Sequence, residues 1–288
     1  MKTVAVTGGS GKLGTRVVKE LQKEGYEVVV LDQQRSPELR CRQIKVDLND
    51  FGQVVSALHG ADAVIHLAAI PAPLGHPYPV IFANNVMSTY HLLEAASVLG
   101  IRKAVLGSSE SSYGFAWAPS RFSPDYLPVD EDHPQQPQEC YGLSKIVGEE
   151  IAAMFDRRCG MQAISLRFSM ITAPEEYERL PIGEPERFKH IMWSYVDIRD
   201  AVSACLAALR VEDRGAISLN VTSDDTLSDW ETPKLIATFY PDVQDLRRLF
   251  RGNEAIVSNR LAKEVLGWQP LHSWKETGTA RAEEHLQS

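Results

Sequence analysis

A chain of 288 residues has room for two domains of about 150 residues, or for one large domain with an appendage, and is too long for a miniature scaffold. Its 44% hydrophobic and 24% charged residues, with 19 Gly and 16 Pro, exclude a disordered or fibrous chain. The net charge of −8, from 30 Lys and Arg against 38 Asp and Glu, gives no positive field for phosphate backbones or anionic lipid, so neither nucleic acid nor a membrane is expected as a partner.

In chain order, Val4 to Val6 reads as a strand, followed by a glycine-rich turn and a helical pattern from Leu13 through Leu21 that stops at Gly25. Glu27 to Leu31 is the next strand, closed by Asp32, and Ile44 to Val46 is the third. Phe51 to Leu58 has helical period, Ala63 to Leu67 is a fourth strand, Asn84 to Leu99 a helix ending at Gly100, and Ala104 to Gly107 a fifth strand. Tyr141 to Arg158 is a long helix and Ile164 to Arg167 a sixth strand. This alternation of short β-branched runs and amphipathic stretches predicts β-α-β units in a doubly wound parallel sheet. After Arg167 the texture changes. Ala173 to Pro185 lacks periodicity and reads as a loop over the sheet's edge, Asp197 to Arg210 as a helix, and Ile217 to Val221 as one more strand. Leu235 to Phe239, Leu246 to Phe250 and Leu261 to Leu266 are apolar pieces of a small cap. The expected fold class is therefore α/β, a Rossmann-type doubly wound parallel sheet with a small C-terminal substrate-binding cap. Residues 1–168 and 196–221 are assigned to the nucleotide-binding domain, 169–195 and 222–288 to the cap.

Cys41, Cys140, Cys159 and Cys205 contain no C-x-x-C pair, so no zinc site, other metal site or disulfide framework is expected. No apolar run approaches the roughly 18 residues a membrane helix needs, and Met1-Lys2 passes straight into a strand pattern rather than a targeting peptide. A cytoplasmic protein with reduced thiols is expected.

Two groups of residues carry chemistry. Thr7-Gly8-Gly9-Ser10-Gly11-Lys12-Leu13-Gly14 places glycines three apart between a strand and a helix. Such a turn lets the backbone approach a pyrophosphate, whose charge meets the free N–H groups of the helix N-terminus. Asp32, at the end of the second strand, is placed to accept ribose hydroxyls and to repel a 2′-phosphate, which points to NAD rather than NADP; Arg35, three positions on, is the residue that would instead pair with that phosphate. The second group is Tyr141-Gly142-Leu143-Ser144-Lys145, at the head of the long helix, with Ser108-Ser109 ending an earlier strand. Tyr141 and Lys145 are four apart and share one helix face. Lowering a tyrosine pKa from about 10 toward 7 requires roughly 4 kcal/mol of preference for the phenolate, which a neighbouring ammonium and a cationic nicotinamide are expected to supply. Ser109 would hold the substrate oxygen while Tyr141 exchanges its proton.

These motifs resemble the extended short-chain dehydrogenase/reductases, the NAD-dependent epimerase/dehydratase group. The resemblance also includes Asp47-Leu48, His66-Leu67-Ala68-Ala69, Asn84-Asn85-Val86, Tyr113-Gly114, Tyr195-Val196-Asp197-Ile198-Arg199-Asp200 and Leu266-Gly267-Trp268-Gln269-Pro270. It implies catalytic Ser109, Tyr141 and Lys145, supported by Asn85. It implies NAD held by Gly8, Ser10, Gly11, Lys12, Leu13, Gly14, Asp32, Asp47, Leu48, Leu67, Ala68, Ala69, Asn85, Tyr141 and Lys145, and a substrate met by Ser108, Ser109, Glu110 and Ser169. Dehydratases of the group carry an Asp-Glu pair after the catalytic hydroxyl residue, where this chain has Glu110-Ser111. Nucleotide-sugar epimerases place an Asn near the position of Met170, and the stretch from Lys145 to Asp197 is short for a nucleotide-sugar site. Both departures suggest a smaller substrate, a sugar, sugar acid or polyol, as in the uronate dehydrogenases; a nucleotide-sugar epimerase with tightly bound NAD is the alternative. Apolar stripes of Leu92, Leu93, Ala96 and Leu99, and of Ile146, Val147, Ile151 and Met154, lie on the two helices that pair across a two-fold axis in this family, so a homodimer is expected.

Overall fold

The computed structural model describes residues 2–276; residues 277–288, the end of the expected cap, lie outside the described residues. The elements in chain order are β1 (Thr3–Thr7), α1 (Lys12–Lys23), β2 (Glu27–Asp32), β3 (Arg42–Lys45), α2 (Phe51–Leu58), β4 (Ala63–His66), α3 (Tyr78–Val98), β5 (Lys103–Ser109), β6 (Tyr126–Leu127), α4 (Cys140–Cys159) and β7 (Gln162–Phe168). Then follow β8 (Met170–Thr172), β9 (Tyr195–Asp197), α5 (Ile198–Arg210), β10 (Ala216–Val221), α6 (Thr232–Phe239), β11 (Asp245–Leu246) and α7 (Arg260–Leu266). Seven strands form one parallel sheet in the order β10-β7-β5-β4-β1-β2-β3. The chain winds outward in both directions from β1, so the ends of β1, β4 and β5 open onto a crevice at the switch point, the place where such sheets bind ligands.

The inner strand runs are apolar because both sheet faces are covered; the edge strand β3 is Arg-Gln-Ile-Lys, with no buried residue. On one face α1 and α5 pack Val17, Val18, Leu21, Cys205 and Leu209 over Val4, Val6 and Ile164. On the other, α2, α3 and α4 pack Leu58, Leu92, Leu93 and Phe155 over Ala5, Val64 and Leu106. A third cluster joins Tyr113, Leu127, Trp193, Tyr195, Leu235 and Ile256. It draws on the segment 113–129, which the sequence reading placed with the nucleotide-binding domain.

Two elements differ from expectation. Helix α3 starts at Tyr78 rather than Asn84, because Pro79 lies in the first turn, where its missing N–H removes no helical hydrogen bond. The loop expected over Ala173 to Pro185 contains short 3-10 turns at Pro174–Arg179 and Pro185–Arg187. Most of the two stripes expected to pair two copies packs inside the chain: Leu92, Leu93 and Ala96 are fully buried and Leu99, Ile151 and Met154 pack against the same cluster, while Ile146 and Val147 are half-buried outside it. Among the described residues no helix is long and apolar enough to cross a membrane.

Candidate functional site

The turn after β1 is built as the glycine spacing requires. Gly8 has φ +66°, and a Cβ there would lie 2.6 Å from the Ala68 nitrogen; at Gly14 a Cβ would lie 2.1 Å from the Gly8 carbonyl oxygen. Any side chain at either position would break the turn or its contact with the β4 loop. Gly11 caps α1 with no side-chain acceptor, which leaves the first-turn N–H groups for an anion. Asp32 closes the adjoining end of β2, accepting from the Ser10 N–H at 3.0 Å and the Gln34 N–H at 3.1 Å. A cleft of about 350 Å³ follows, lined by Gly8, Ser10, Gly11, Asp32, Leu48 and Leu67 among others, with Ala68 and Ala69 on its wall. A glycine cradle, an uncapped helix start and a carboxylate at the strand end fit a dinucleotide. Asp47 departs from its expected place: Leu48 and Asn49 line the cleft, while the Asp47 carboxylate accepts from the Asn49 N–H at 3.0 Å and holds the turn. Lys12, at the first position of α1, also points elsewhere, pairing with Glu176 at 2.5 Å and donating to the Ile171 carbonyl at 2.9 Å. Arg16 pairs with Glu175 at 3.0 Å.

The second group gathers at the ends of β4, β5 and α4. Glu139 caps α4, its carboxylate accepting from the Tyr141 and Gly142 N–H groups at 2.5 and 2.7 Å, and so fixes the turn that carries Tyr141. The Lys145 ammonium donates to the Gly107 carbonyl at 2.7 Å and stands 5.4 Å from the Tyr141 ring centre. Burial lowers its pKa to about 8, against the pull of Glu149. The Tyr141 hydroxyl is pushed up to about 12 by burial, with Glu139 and Glu110 adding to the rise and a hydrogen bond with Ser109 opposing it. Of the two cations expected to acidify Tyr141, the Lys145 ammonium is turned to Gly107 and does not offset the burial of the hydroxyl within the protein alone. His66, at the end of β4, bonds Thr7 at 2.6 Å and Thr89 at 3.1 Å. Burial and the Lys145 charge depress its pKa to about 3, so it is a neutral support.

Asn85 braces both sides of the cleft: its side chain bonds the Ile70 N–H at 2.8 Å, the Ile70 carbonyl at 3.1 Å and Ser144 at 3.2 Å. Ser108 departs from the expected substrate set. While Ser109 meets Tyr141 near the start of α4, Ser108 donates to Glu149 at 2.5 Å two turns further along the same helix. Glu110 is 8% exposed and accepts hydrogen bonds from the Ser194 hydroxyl and the Met170 N–H, yet burial raises its pKa to about 8. Ser169 is buried beside it; its hydroxyl opposes that rise but has no well-formed partner. Met192 and Trp193, both at φ 52°, hold a left-handed backbone that non-glycine residues rarely adopt and deliver Ser194 to Glu110.

The sequence reading missed Glu139, Glu149 and Arg167. Arg167 grips Glu149 with Nε at 3.0 Å and Nη2 at 2.7 Å and donates to Tyr113 at 3.0 Å. Only the spacing of Glu149, four after Lys145, hinted at this group.

Residues 4–221 match the model of the NAD dependent epimerase/dehydratase family. The chain is 28% identical to a UDP-glucose 4-epimerase of Lacticaseibacillus casei, covering 93% of this chain and 92% of that protein. It is 29% identical to an L-arabinose 1-dehydrogenase (NAD(P)(+)) of Haloferax volcanii, covering 82% and 95%. Its fold aligns with a short-chain dehydrogenase/reductase superfamily protein from Agrobacterium tumefaciens with bound NAD, at a TM-score of 0.75 and 25% identity over 99% and 98% of the two chains. With its glycine cradle, strand-end carboxylate and serine, tyrosine and lysine at the strand ends, the chain belongs to the NAD dependent epimerase/dehydratase family.

Proposed function

We propose that the protein is an NAD-dependent oxidoreductase that moves a hydride between NAD and a hydroxyl or carbonyl carbon of a small sugar, sugar acid or polyol. The observation that carries this reading is the meeting of Ser109, Tyr141 and Lys145 beside the glycine cradle. NAD, when bound, supplies the hydride acceptor and a positive charge. Asp32 would hold the adenosine ribose, the α1 N-terminus the pyrophosphate, and Lys145 the second ribose. Ser109 orients the substrate oxygen, and Tyr141 takes its proton. The small substrate is supported by the short Lys145 to Asp197 stretch and by the likeness to an arabinose dehydrogenase. A cytoplasmic site of action agrees with four free thiols, and a homodimer is proposed through the outward side of α3 and α4, where Met87, Tyr90 and Leu143 are exposed.

The second reading is a nucleotide-sugar epimerase that keeps its NAD. It is favoured by the Lys12–Glu176 and Arg16–Glu175 pairs, which tie the segment 174–179 across the start of α1. Exposed pairs contribute only about 0–1 kcal/mol each, so the strap they form is a weak one. A panel of free sugars, sugar acids, and UDP- and TDP-sugars, followed by NADH absorbance, separates the readings. Net NADH from a free sugar or sugar acid, lost in Tyr141→Phe, is the expected result; turnover of nucleotide sugars alone, with no net NADH, overturns the first reading.

A further inference from the structure

Beside Lys145, sharing Ala68 and Ala69 with the wall of the cofactor cleft, lies a cavity of about 20 Å³ lined by Lys145, Glu149, Ser108, Ser144, Ser165 and His66 among others. It is large enough for one water and offers more polar partners than a water needs. Glu149 is the one carboxylate on its wall, one helical turn from Lys145. The carboxylate is rigid: Oε1 accepts from Ser108 at 2.5 Å and from Arg167 Nε at 3.0 Å, and Oε2 accepts from Arg167 Nη2 at 2.7 Å. The Arg167 and Glu149 side chains are only 6% and 10% exposed. A buried ion pair is a poor source of stability compared with apolar packing, so its placement calls for another reason. The other groups facing Lys145 supply no counter-charge: Tyr141 on α4, His66 on β4, Asn85 and Thr89 on α3, Ser108 on β5 and Ser165 on β7.

We propose that Glu149 is a positioning residue for Lys145, its fixed carboxylate holding the ammonium charged at the ribose end of the cleft across the one-water cavity, with Arg167 limiting how much of the carboxylate's field reaches it. The proposal rests on the assignment of Lys145 to NAD and catalysis, but its charge is readable without either. Removing the carboxylate charge makes Lys145 easier to deprotonate. Removing Arg167 leaves the carboxylate to Lys145 alone and makes it harder. The two changes act with opposite sign, which a merely structural role does not produce.

The experiment is competitive acetylation of Lys145 with acetic anhydride between about pH 6 and pH 9.5, read by mass spectrometry on the full chain, together with NAD affinity by calorimetry over the same range. In Glu149→Gln the midpoint of Lys145 acetylation falls by about one pH unit, a tenfold gain in neutral amine, and NAD affinity is lost at lower pH than in the parent. In Arg167→Met the midpoint rises. Should Glu149→Gln fold poorly because Arg167 is left unpaired, Arg167→Met is compared with the double variant Glu149→Gln/Arg167→Met, and the midpoint falls between those two. Midpoints that stay fixed while thermal stability drops overturn the proposal. If Lys145 titrates as described but the protein does not bind NAD, the functional reading fails and the Glu149 assignment stands.

Discussion

Glu110 offers the most direct physical test of the site. Its carboxyl is 8% exposed at the end of β5, and burial raises its pKa from 4.5 to about 8 despite hydrogen bonds from Ser194 and the Met170 backbone. The folded protein therefore keeps a proton up to about pH 8 that the unfolded chain releases near pH 4.5. Between those limits the native state binds more protons, so stability is fully present below about pH 4.5 and falls as pH rises. The slope approaches 1.4 kcal/mol per pH unit, and the whole window is worth at most about 5 kcal/mol. Glu110→Gln keeps the shape, and its amide oxygen still accepts from Ser194, but it has no proton to lose. Urea unfolding of parent and variant at about pH 5.5 and about pH 8 should show the stability difference shifting in the variant's favour by about 3 kcal/mol between the two. The variant should also deprotonate Tyr141 at lower pH, since the Glu110 charge raises the tyrosine's proton affinity. Parallel pH dependence of unfolding in the two proteins would refute a buried, protonated Glu110.

Gly14→Ala would drive a methyl to 2.1 Å from the Gly8 oxygen and 2.8 Å from the Gly9 Cα, contacts with backbone that cannot rotate away. It should cost about 1–3 kcal/mol and abolish NAD binding; unchanged affinity by calorimetry would remove the pyrophosphate from this turn. For the assembly, light scattering should report a dimer for the parent and a shift toward monomer for Tyr90→Glu, which adds a charge to an exposed position on α3; a parent that is monomeric at micromolar concentration refutes the proposed interface.

The parts of this protein legible in its sequence are those whose physics is local. Glycine spacing between a strand and a helix announces Gly8, Gly11 and Gly14 because the backbone conformation itself needs them, and a four-residue interval places Tyr141 and Lys145 on one face. The inner sheet strands were readable from apolar runs, since a strand covered on both faces has no polar alternation to confuse it, whereas the edge strand β3, Arg42–Lys45, has no buried residue and overlaps the expected Ile44 to Val46 only at its end. What was not legible depends on which way a side chain turns at a crowded junction. Ser108 and Ser109 are equivalent as letters, yet one bonds Glu149 and the other Tyr141, two turns apart on α4. Lys12 sits where the pyrophosphate motif wants a cation but answers to Glu176, 164 residues away. The apolar stripes of α3 were real but served the chain's own core, because a helix pressed on a sheet must spend its most apolar face there first.

The polar network that joins α4 to the sheet carries the functional consequence of this limit. Arg167 reaches Glu149 across 18 residues and Tyr113 across 54, and Tyr113 reaches Asn220 across 107. No window of sequence contains it, and each member alone looks like an ordinary buried polar residue with its hydrogen bonds satisfied. Yet the network fixes one carboxylate on the wall of the Lys145 cavity, while a second, Glu110, stands protonated near Tyr141. On the proposed reading the proton balance of Tyr141 and Lys145 is set by two acids that local motifs do not mark: one gripped by Arg167 and Ser108, the other kept neutral by burial. A single substitution at either acid, and not a change confined to the substrate pocket, is therefore expected to move the pH at which Tyr141 and Lys145 titrate.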